Sequence, residues 1–322
     1  MVLDPDLERP RVSEAPGFSD AVTCAFADEA SGVQGTIRIG LAAGAASGLT
    51  MVFVGGVPAV AHAEGGIAVD AGVRDYGELS AAGITHRVVE PHRRWTVSAT
   101  LEGVVVELDL EATGPAFVLS PTHAAARRGG MEGYEQPCRV RGRVELQVPD
   151  QPLRRIEIDG VGQRGHQWGA PDWESLELSR TVTGWFGDDL AFNVSAMRPA
   201  GAASHADEVA WASVARPAAM VAREDEDAPD GSDAPDPGAG PEAVEAPEPR
   251  ISTTVDGEGH HTFATVELWE SDEGPVWTAT GEPISGTTLE LGRLRLDMAF
   301  FRWRLHGRTG LGRYDILRRV GD

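Results

Sequence analysis

The sequence predicts an all-β fold of short antiparallel strands with little helix. Its 322 residues include 39 glycines and 21 prolines, a composition that favours many turns and short strands. Apolar and polar residues alternate over repeated short runs, as expected of strands with one buried face and one solvated face. The length is typical of about two domains, and a hydrophobic content of 41% is sufficient for a packed core.

The first half of the chain is predicted to form a meander of strands. Its clearest hairpin has arms at 95–101 and 104–110 and turns at Glu102-Gly103. In the second arm the valines and leucines at even positions share one face. Other β-type runs lie at 22–27, 35–41, 50–54 and 84–89, and one short helix is predicted within 121–128.

The second half is predicted to continue in the same way. Its β-type runs lie at 139–148, 153–159, 175–182, 190–197, 209–214, 263–269 and 276–281. Between Leu289 and Met298 the apolar residues change parity, and a one-residue slip would turn every later side chain to the opposite face. We therefore expect a β-bulge at Gly292-Arg293, which would restore the inward face.

The segment 223–250 differs from the rest of the chain in composition. It carries ten acidic residues and two arginines with very few apolar side chains. Such a segment cannot bury enough apolar surface to order itself. We expect a disordered acidic insertion, and an inert solubilising insertion is a simpler interpretation than a regulatory lid.

The stretch 160–169 concentrates the most side-chain chemistry in the chain. Residues 160–165 spell G-x-G-x-x-G after a predicted strand, which would bind a dinucleotide only if a helix opened there. Pro171 follows closely and disfavours helix at the residue before it. A strand with glycine bulges is the better interpretation. It places His166 and Trp168 on one face and Gln167 on the other.

This region also carries a resemblance to a known family. The run Gly-His-Gln-Trp-Gly at 165–169, preceded by Tyr-Glu-Gln-Pro at 134–137 and a strand at 139–148, resembles the mid-chain signature of the carotenoid 1,2-hydratase/AttH-like family. The resemblance implies a pair of lipocalin-like β-barrels, and hydration or cyclisation of terpenoid or polyketide chains as the activity. Two positions depart from the family pattern. Gly165 replaces an aspartate, and Asn193-Val194-Ser195 stands where the hydratases have a Tyr-x-Asp pair.

The domain organisation follows from the resemblance and the composition. We expect an N-terminal extension at 1–20, a first lipocalin-like β-domain at 21–165 and a second at 166–322, with the acidic insertion inside the second. The fold class is therefore all-β, with two packed lipocalin-like antiparallel barrels and little helix.

Three residues are predicted to supply acid/base chemistry. His166 is the candidate hydrogen-bond donor or acid/base of the central motif. Glu135 in an apolar interior would have a raised pKa and could donate a proton at neutral pH, and Asp172 is a weaker candidate. Core packing for His166 and ordinary exposure for the two acids are the structural alternatives.

Five further residues are predicted to contact a ligand. Trp168 would form an aromatic wall against a cationic intermediate, and the other four are Arg164, Tyr134, Trp173 and Asn193. No metal is assigned, because the histidines and carboxylates lack ligand spacing. No cofactor is assigned either.

Composition limits the partners. A net charge of −22 argues against binding nucleic acid or an anionic membrane surface. Cys24 and Cys138 lie in β-type runs without Cys-x-x-Cys spacing, so two buried free thiols in a reducing, cytoplasmic location are expected. No signal peptide and no apolar run long enough for a transmembrane helix is found.

Two main functions remain open at this stage. The first is an enzyme that binds a hydrophobic small molecule, such as a terpenoid, polyketide or lipid-like chain, in a β-barrel pocket. It would catalyse cofactor-free acid-assisted hydration, cyclisation or isomerisation. The second is a non-catalytic, lipocalin-like carrier of a lipophilic ligand. A carboxyl group facing the pocket would favour the enzyme, and a filled interior would leave only a structural β-domain.

Overall fold

The computed structural model describes residues 4–69, 75–147, 150–202, 204, 207–216, 241–246, 248–269 and 276–320. Twenty strands dominate the described residues, with one short α-helix and two 3₁₀ helices. The helices are α1 (Ala124–Gly129) and the 3₁₀ turns Pro5–Glu8 and Tyr76–Glu78. The all-β prediction is confirmed.

The first sheet contains the strands of the first half of the chain. They are β1 (Ser19–Asp28), β2 (Val33–Ala42), β3 (Ala45–Val54), β4 (Val57–Ala68), β5 (Ser80–Ala81), β6 (Ile84–Glu90), β7 (Arg94–Leu101), β8 (Val104–Ala112), β9 (Phe117–Leu119), β10 (Met131–Leu146) and β11 (Arg154–Gly169). Their order is β4-β3-β2-β1-β11-β10-β8-β7-β6-β5, and β9 pairs with β10. All the pairs are antiparallel.

The second sheet contains the remaining strands. They are β12 (Leu176–Trp185), β13 (Ala191–Pro199), β14 (Val209–Arg216), β15 (Glu242–Ala246), β16 (Arg250–Val255), β17 (His261–Trp269), β18 (Val276–Leu291), β19 (Leu294–Leu305) and β20 (Arg308–Arg319). Their order is β15-β14-β13-β12-β20-β19-β18-β17-β16. Strand β11 crosses the domain boundary expected between 165 and 166, and the sheet changes between Gly169 and Leu176.

Each sheet curls around its own apolar core and forms a near-closed barrel. In the first sheet Ile37 and Ile39 of β2 pack with Ile84 of β6, from the far end of the strand order. In the second sheet the Tyr314 hydroxyl of β20 hydrogen-bonds with Thr253 Oγ1 of β16 at 2.6 Å. Curling brings distant strands together and reduces the exposed edges of the sheet.

A third apolar cluster joins the two barrels. It contains side chains from both sheets, among them Met51 and Phe53 of β3 and Met298 and Phe300 of β19. The rings of Phe53 and Phe300 meet edge to face with centroids 6.0 Å apart, a favoured aromatic geometry. The barrels therefore pack through their outer faces, and this interface borders the candidate site.

Several local predictions can be compared with these strands. The hairpin at Glu102-Gly103 is confirmed, because Leu101 pairs with Val104. The short helix within 121–128 is confirmed as α1. The bulge at Gly292-Arg293 is wrong.

These two residues form the tight turn between β18 and β19, with Leu291 paired to Leu294 and Gly292 at φ 66°, as a two-residue hairpin requires. Directly paired residues share a face, so the change of parity marks a strand reversal.

The acidic insertion is described only in part. Residues 223–240 lie outside the described residues, and the disorder expected there stays a prediction. The following residues form β15, which pairs with β14 from Ala212↔Ala246 to Arg216↔Glu242. The end of the acidic segment therefore supplies an edge strand of the second sheet.

Candidate functional site

A cavity of about 740 Å³ lies between the two barrels. Its walls come from both sheets, with β1, β2, β10 and β11 on one side and β12, β13 and β20 on the other. This volume lies within the range of small-molecule sites. The cavity lies between the outer faces of the sheets, whereas the sequence analysis placed the pocket inside a barrel.

Strand pairing builds the first wall as a row of side chains. Glu135 on β10 pairs with Gly165 on β11, Gly165 pairs with Thr23 on β1, and Thr23 pairs with Arg38 on β2. Side chains of directly paired residues point to the same face. The row therefore places an acid and a base on one wall, with a glycine and a threonine between them.

Glu135 is buried with both carboxyl oxygens hydrogen-bonded. Gln163 Nε2 donates to Oε2 and Gln167 Nε2 donates to Oε1, each at 2.8 Å. Burial raises the pKa of Glu135 to about 7, and the charge of Asp315 adds to this, while Arg313, Arg164 and the Gln167 hydrogen bond act in the opposite direction. A carboxyl group with a pKa near 7 can both give and take a proton at neutral pH.

Gly165 provides the space that the Glu135 carboxyl occupies. A Cβ atom at Gly165 would lie 2.3 Å from Glu135 Oε2 and 2.5 Å from Oε1. No side chain fits there without displacing the acid. Gly165 stands where the family motif has an aspartate. The carboxyl group of Glu135, on the neighbouring strand β10, lies directly over this glycine.

Trp185 of the second sheet fixes the orientation of Gln163. Its indole Nε1 donates to Gln163 Oε1 at 3.2 Å, and an indole nitrogen can only donate. The amide oxygen of Gln163 therefore faces Trp185, and its amino group faces Glu135. Trp185 of the second barrel thus orients the hydrogen bond that Gln163 donates to Glu135 in the first barrel.

The second wall carries two polar rows. Asn193 pairs with Thr183, whose Oγ1 accepts from Arg313 N at 3.2 Å. In the next row Ser195 pairs with Thr181, which pairs with Asp315. Besides Asn193, the two rows contain the short hydroxyl side chains of Thr183, Ser195 and Thr181, and the Asp315 carboxylate, which is paired with Arg313.

Arg313 and Asp315 form an ion pair along β20. Arg313 Nε donates to Asp315 Oδ1 at 2.9 Å, and Nη2 contacts Oδ2. Burial raises the pKa of Asp315, while the neighbouring Arg313 lowers it. The pair places a second carboxylate in the cavity, neutralised by its own cation.

Asn193 presents an unsatisfied polar atom in the cavity wall. The residue is only 2% exposed, and within the described residues its Oδ1 has no hydrogen-bond partner. A buried acceptor without a partner is costly. It is suited to accept from a hydroxyl or N–H group of a ligand.

His166 and Arg164 lie on the opposite face of β11, inside the first barrel. They pair with Val22 and Cys24, both members of the first core. The His166 Nδ1 atom lies 2.7 Å from the Leu7 carbonyl oxygen, and Nε2 lies 2.9 Å from Asp20 Oδ2. Both ring nitrogens are thus occupied by the N-terminal segment and β1.

A buried ion pair accompanies this histidine. Arg164 Nη2 lies 2.6 Å from Glu8 Oε2, and both side chains are buried. The carboxylate also accepts from His92 N at 2.9 Å and Trp95 Nε1 at 3.0 Å. Burial would raise the pKa of Glu8, but Arg164, His92 and Trp95 outweigh it and the pKa is lowered. The 3₁₀ helix of the N-terminus is anchored by this pair.

The predicted site residues divide between these environments. Glu135, Tyr134, Trp173 and Asn193 border the cavity. The Tyr134 hydroxyl, however, turns to the other face and accepts from Arg164. Within the described residues, those bordering the cavity do not include the remaining four, which are His166, Trp168, Arg164 and Asp172.

Two of those four lie elsewhere for identifiable reasons. Trp168 is half-buried beneath Arg11, whose guanidinium carbon lies 5.1 Å from the ring centroid. Asp172 is exposed in a turn, where its Oδ1 accepts from Glu174 N at 3.0 Å. Ligand or catalytic roles for these residues stay predictions.

The polar residues of the cavity that sequence analysis did not assign to a site include Gln163, Gln167, Arg38, Arg313 and Asp315. The sequence contained a signal for Gln163 and Gln167, because their positions on β11 place them on the face opposite to His166. The Arg-Tyr-Asp run at 313–315 also places its charges on one face. What the sequence lacked was the knowledge of which face of each strand met the other barrel.

The histidines, cysteines and acidic residues of the described parts of the chain bear on metal binding and thiol chemistry. No group of three or more histidine, cysteine or acidic side chains is arranged there to hold a metal ion. Cys24 and Cys138 are buried free thiols, as predicted. Burial raises the pKa of Cys24 to about 12 and also raises that of Cys138, so the thiol form is favoured.

No described helix is both long and apolar enough to cross a membrane.

Comparison with family models gives one match over nearly the whole chain. Residues 4–320 match the model described as Domain of unknown function (DUF7064). The chain belongs to the DUF7064 family. A comparison with curated proteins found no match.

Solved structures show the same fold at low identity. A Nitrosomonas europaea protein assigned as AttH has a TM-score of 0.65 and 11% identity, covering 96% of this chain and 98% of its own. Kievitone hydratase from Nectria haematococca has a TM-score of 0.61 and 11% identity, covering 98% and 93%. CghA has a TM-score of 0.59 and 12% identity, covering 95% and 90%. This member of DUF7064 thus has the AttH-like fold that the resemblance implied.

Proposed function

We propose that this protein is an enzyme that binds a hydrophobic small molecule in the cavity between its barrels and acts on it by proton transfer at Glu135. The reaction class is cofactor-free hydration, cyclisation or isomerisation of a terpenoid, polyketide or lipid-like chain. The carrying observation is the Glu135 carboxyl group, which faces a cavity of about 740 Å³ and has a pKa of about 7.

The chemistry balances with Glu135 as the proton donor. In a hydration, the protonated carboxyl gives its proton to one carbon of a C=C bond and leaves a cation on the other. Water adds to that cation, and the proton it releases returns to the carboxylate. Gln163 and Gln167 donate to both carboxyl oxygens, and such donors stabilise the carboxylate that forms. General acid catalysis of this kind contributes about 10²- to 10⁴-fold.

Cyclisation and isomerisation use the same proton cycle. The cation is then attacked by a second double bond of the chain, or loses a proton from a neighbouring carbon. The rate also depends on holding a flexible chain in a reactive pose. The apolar side chains bordering the cavity, such as Leu49, Phe117 and Leu296, suit that role.

Two structural relatives support this proposal by what they are named for. Kievitone hydratase is a hydratase of kievitone, and a second structure of CghA, with a TM-score of 0.51 and 10% identity, is a complex with Sch210972. The shared fold therefore accommodates an organic ligand in one relative and a hydration reaction in another. For this chain both points are part of the proposal.

A non-catalytic carrier is the second candidate. The observation that favours it is the neutral pair Asn193 and Ser195, at the position where the hydratases have a tyrosine and an aspartate. Both residues border the cavity. A carrier needs no proton donor there, whereas the enzyme proposal transfers that role to Glu135.

The test combines ligand capture with conversion. The purified protein is incubated with a lipid and terpenoid extract in water enriched in ¹⁸O. Native mass spectrometry detects adducts, and chromatography with mass spectrometry detects products. We expect wild type to capture and convert one component, and Glu135→Gln to capture it without converting it. The control is Glu157→Gln, on an exposed position of β11.

The outcomes separate the two candidates. Conversion by wild type that Glu135→Gln loses supports the enzyme, and ¹⁸O in the product identifies hydration. Equal conversion by both proteins contradicts the role of Glu135. Capture without conversion by either protein favours the carrier.

A further inference from the structure

We infer that the cavity takes an amphipathic acid, a molecule with an apolar body and a carboxylate or similarly acidic enol that is held by Arg38. This inference deepens the proposed function and depends on the cavity being the ligand site. It names the chemical class of ligand from a charge that the protein itself leaves unpaired.

Arg38 belongs to the cavity wall by its register on β2. It pairs with Thr23 on β1 and with Leu49 on β3. All three residues border the cavity, and Leu49 is part of the apolar cluster between the barrels. Arg38 borders the cavity. It is half-buried, so its contact with bulk solvent is limited.

Among the described residues, no carboxylate lies within ion-pair distance of this guanidinium group. Within the residues that the structure describes, Arg38 makes neither a hydrogen bond nor an ion pair. Burial lowers the pKa of Arg38, and the positive charge of Arg313 lowers it further, while Tyr76 and Asp20 act in the opposite direction. Asp20 is already engaged by His166 and the Tyr76 hydroxyl.

The carboxyl groups deep in the cavity are also engaged. Glu135 accepts from Gln163 and Gln167, and Asp315 is paired with Arg313. Two more acidic residues border the cavity, Glu64, which is exposed and lies 3.8 Å from His62, and Glu132, which is half-buried on β10. Within the described residues neither forms an ion pair with Arg38. A partly desolvated cation without an anion is unfavourable. A ligand carboxylate would supply the missing charge, and arginine is well suited to bind it in a bidentate manner.

The geometry relates this anchor to the proposed acid. Arg38 and Glu135 are the two ends of the row Arg38–Thr23–Gly165–Glu135. Three inter-strand steps separate their backbones by about 14 Å at the usual spacing of about 4.8 Å. A ligand anchored at Arg38 would lie across Thr23 and bring a distant carbon of its chain to the Glu135 carboxyl, which lies over Gly165. Because Gly165 has no side chain, the Glu135 carboxyl lies over it and extends towards Thr23 and Arg38.

The test compares an acid with its uncharged ester. The probes are cis-parinaric acid, a fluorescent polyene carboxylate, and its methyl ester, titrated against the full chain at pH 7.5. For wild type we expect the acid to bind about 10- to 100-fold more tightly than the ester, as a charged hydrogen-bonded contact implies. For Arg38→Met we expect the acid to weaken to the level of the ester, with the affinity for the ester unchanged.

Two further variants keep the test falsifiable. Arg38→Lys retains the charge and should keep part of the preference for the acid, even where Arg38→Met folds poorly. Arg87→Met removes an exposed arginine of β6 and should change neither affinity. Equal binding of acid and ester by wild type would overturn the inference and leave the proposed function intact.

The remaining outcomes are also decisive. A preference for the acid that survives in Arg38→Met would overturn Arg38 as the anchor. No binding of either probe to wild type would overturn both the anchor and the cavity as a ligand site. Loss of conversion in Glu135→Gln, with the preference for the acid retained, would show that the anchor and the proton donor are separate.

Discussion

Strand β11 presents Arg164 and His166 to the inside of the first barrel, and Gln163 and Gln167 to the cavity between the barrels. On the inner face Arg164 is paired with Glu8, and His166 contacts Asp20. On the cavity face, within the described parts of the chain, Arg38 has no ion-pair partner and the Asn193 oxygen accepts no hydrogen bond.

This difference indicates different roles for the two faces. A buried group that is fully paired within the protein contributes to the uniqueness and rigidity of the fold. A polar group that the protein leaves unpaired next to a cavity is available to a ligand. The conspicuous Gly-His-Gln-Trp-Gly motif therefore anchors the N-terminal segment with its histidine, and it borders the candidate site with its glutamine and glycine.

The largest expected effect is on the inner face, at Arg164. Arg164→Met would leave the Glu8 carboxylate buried without its ion-pair partner. Removing one member of a buried pair costs about 3–5 kcal/mol, measured here as the loss in free energy of unfolding by urea. Binding of parinaric acid methyl ester by the remaining folded protein should change little, because the cavity lies on the other face.

Two controls sharpen this prediction. Arg141→Met removes an exposed arginine that pairs with Asp159, and such surface pairs contribute about 0–1 kcal/mol. The double variant Glu8→Gln with Arg164→Met should recover part of the loss, because no unpaired charge remains. A loss below about 1 kcal/mol for Arg164→Met alone would show that the pair does not anchor the N-terminus.

The next largest effect is expected on the cavity face, at Glu135. Here the substitution should increase the free energy of unfolding at high pH, whereas Arg164→Met should decrease it. The folded-state pKa of Glu135 is about 7 against an ordinary 4.5, so the folded protein binds the proton more tightly than the unfolded chain. The contribution of Glu135 to stability is therefore fully present below pH 4.5 and is lost as the pH rises to about 7. At about 1.4 kcal/mol for each pH unit, the loss is about 3 kcal/mol.

Glu135→Gln removes this dependence. The difference in unfolding free energy between variant and wild type should shift in favour of the variant by about 3 kcal/mol between pH 4 and pH 8. The charged groups that influence Glu135 are Arg313, Arg164 and Asp315, and each of them belongs to an ion pair. A pH-independent difference, measured by urea unfolding at both pH values, would contradict the raised pKa.

The comparison also shows what the sequence could and could not reveal. Alternation predicted the strands and the hairpin at Glu102-Gly103, because the period of two is a local property. The same alternation predicted that His166 and Trp168 share a face. It could not reveal which face meets the second barrel, because that depends on packing between residues far apart in the chain, such as Gln163 and Trp185.

Two other details depended on context in the same way. The change of parity at Gly292-Arg293 is compatible with a bulge or a turn, and only the pairing of Leu291 with Leu294 distinguishes them. The role of Arg38 cannot be predicted from its own strand, since it follows from the lack of an ion-pair partner for Arg38 within the described residues. Sequence analysis did predict Glu135 and Asn193, which both border the cavity.

A smaller effect is expected from filling the space beside the acid. In Gly165→Ala the new Cβ atom would meet the Glu135 carboxyl at 2.3 Å, so the acid must move and lose its hydrogen bonds. Overpacking of this kind costs about 1–3 kcal/mol. Conversion of ligand should fall together with stability.

The matched control is Gly257→Ala, where no heavy atom lies within 4 Å of the added Cβ. The sharper test is the same substitution in a Glu135→Ala background. If the clash is with the Glu135 carboxyl, Gly165→Ala should have almost no effect on the free energy of unfolding there. An undiminished cost in that background would place the conflict elsewhere.

The smallest effect concerns Trp185, which connects the second barrel to the acid. Trp185→Phe removes the indole donor at Gln163 Oε1, a loss of about 1 kcal/mol for the hydrogen bond. The released amide can then turn its oxygen towards Glu135, which disfavours the carboxylate. The pKa of Glu135 should therefore rise above its value of about 7, as followed by ¹³C NMR of labelled glutamate carboxyls and assigned with Glu135→Gln. Trp277→Phe is the control, because the buried Trp277 indole nitrogen has no hydrogen-bond partner within the described residues. A Glu135 pKa that moves equally in both variants would mean that Trp185 acts only through packing, and the two barrels would then be joined at the site by apolar contact alone.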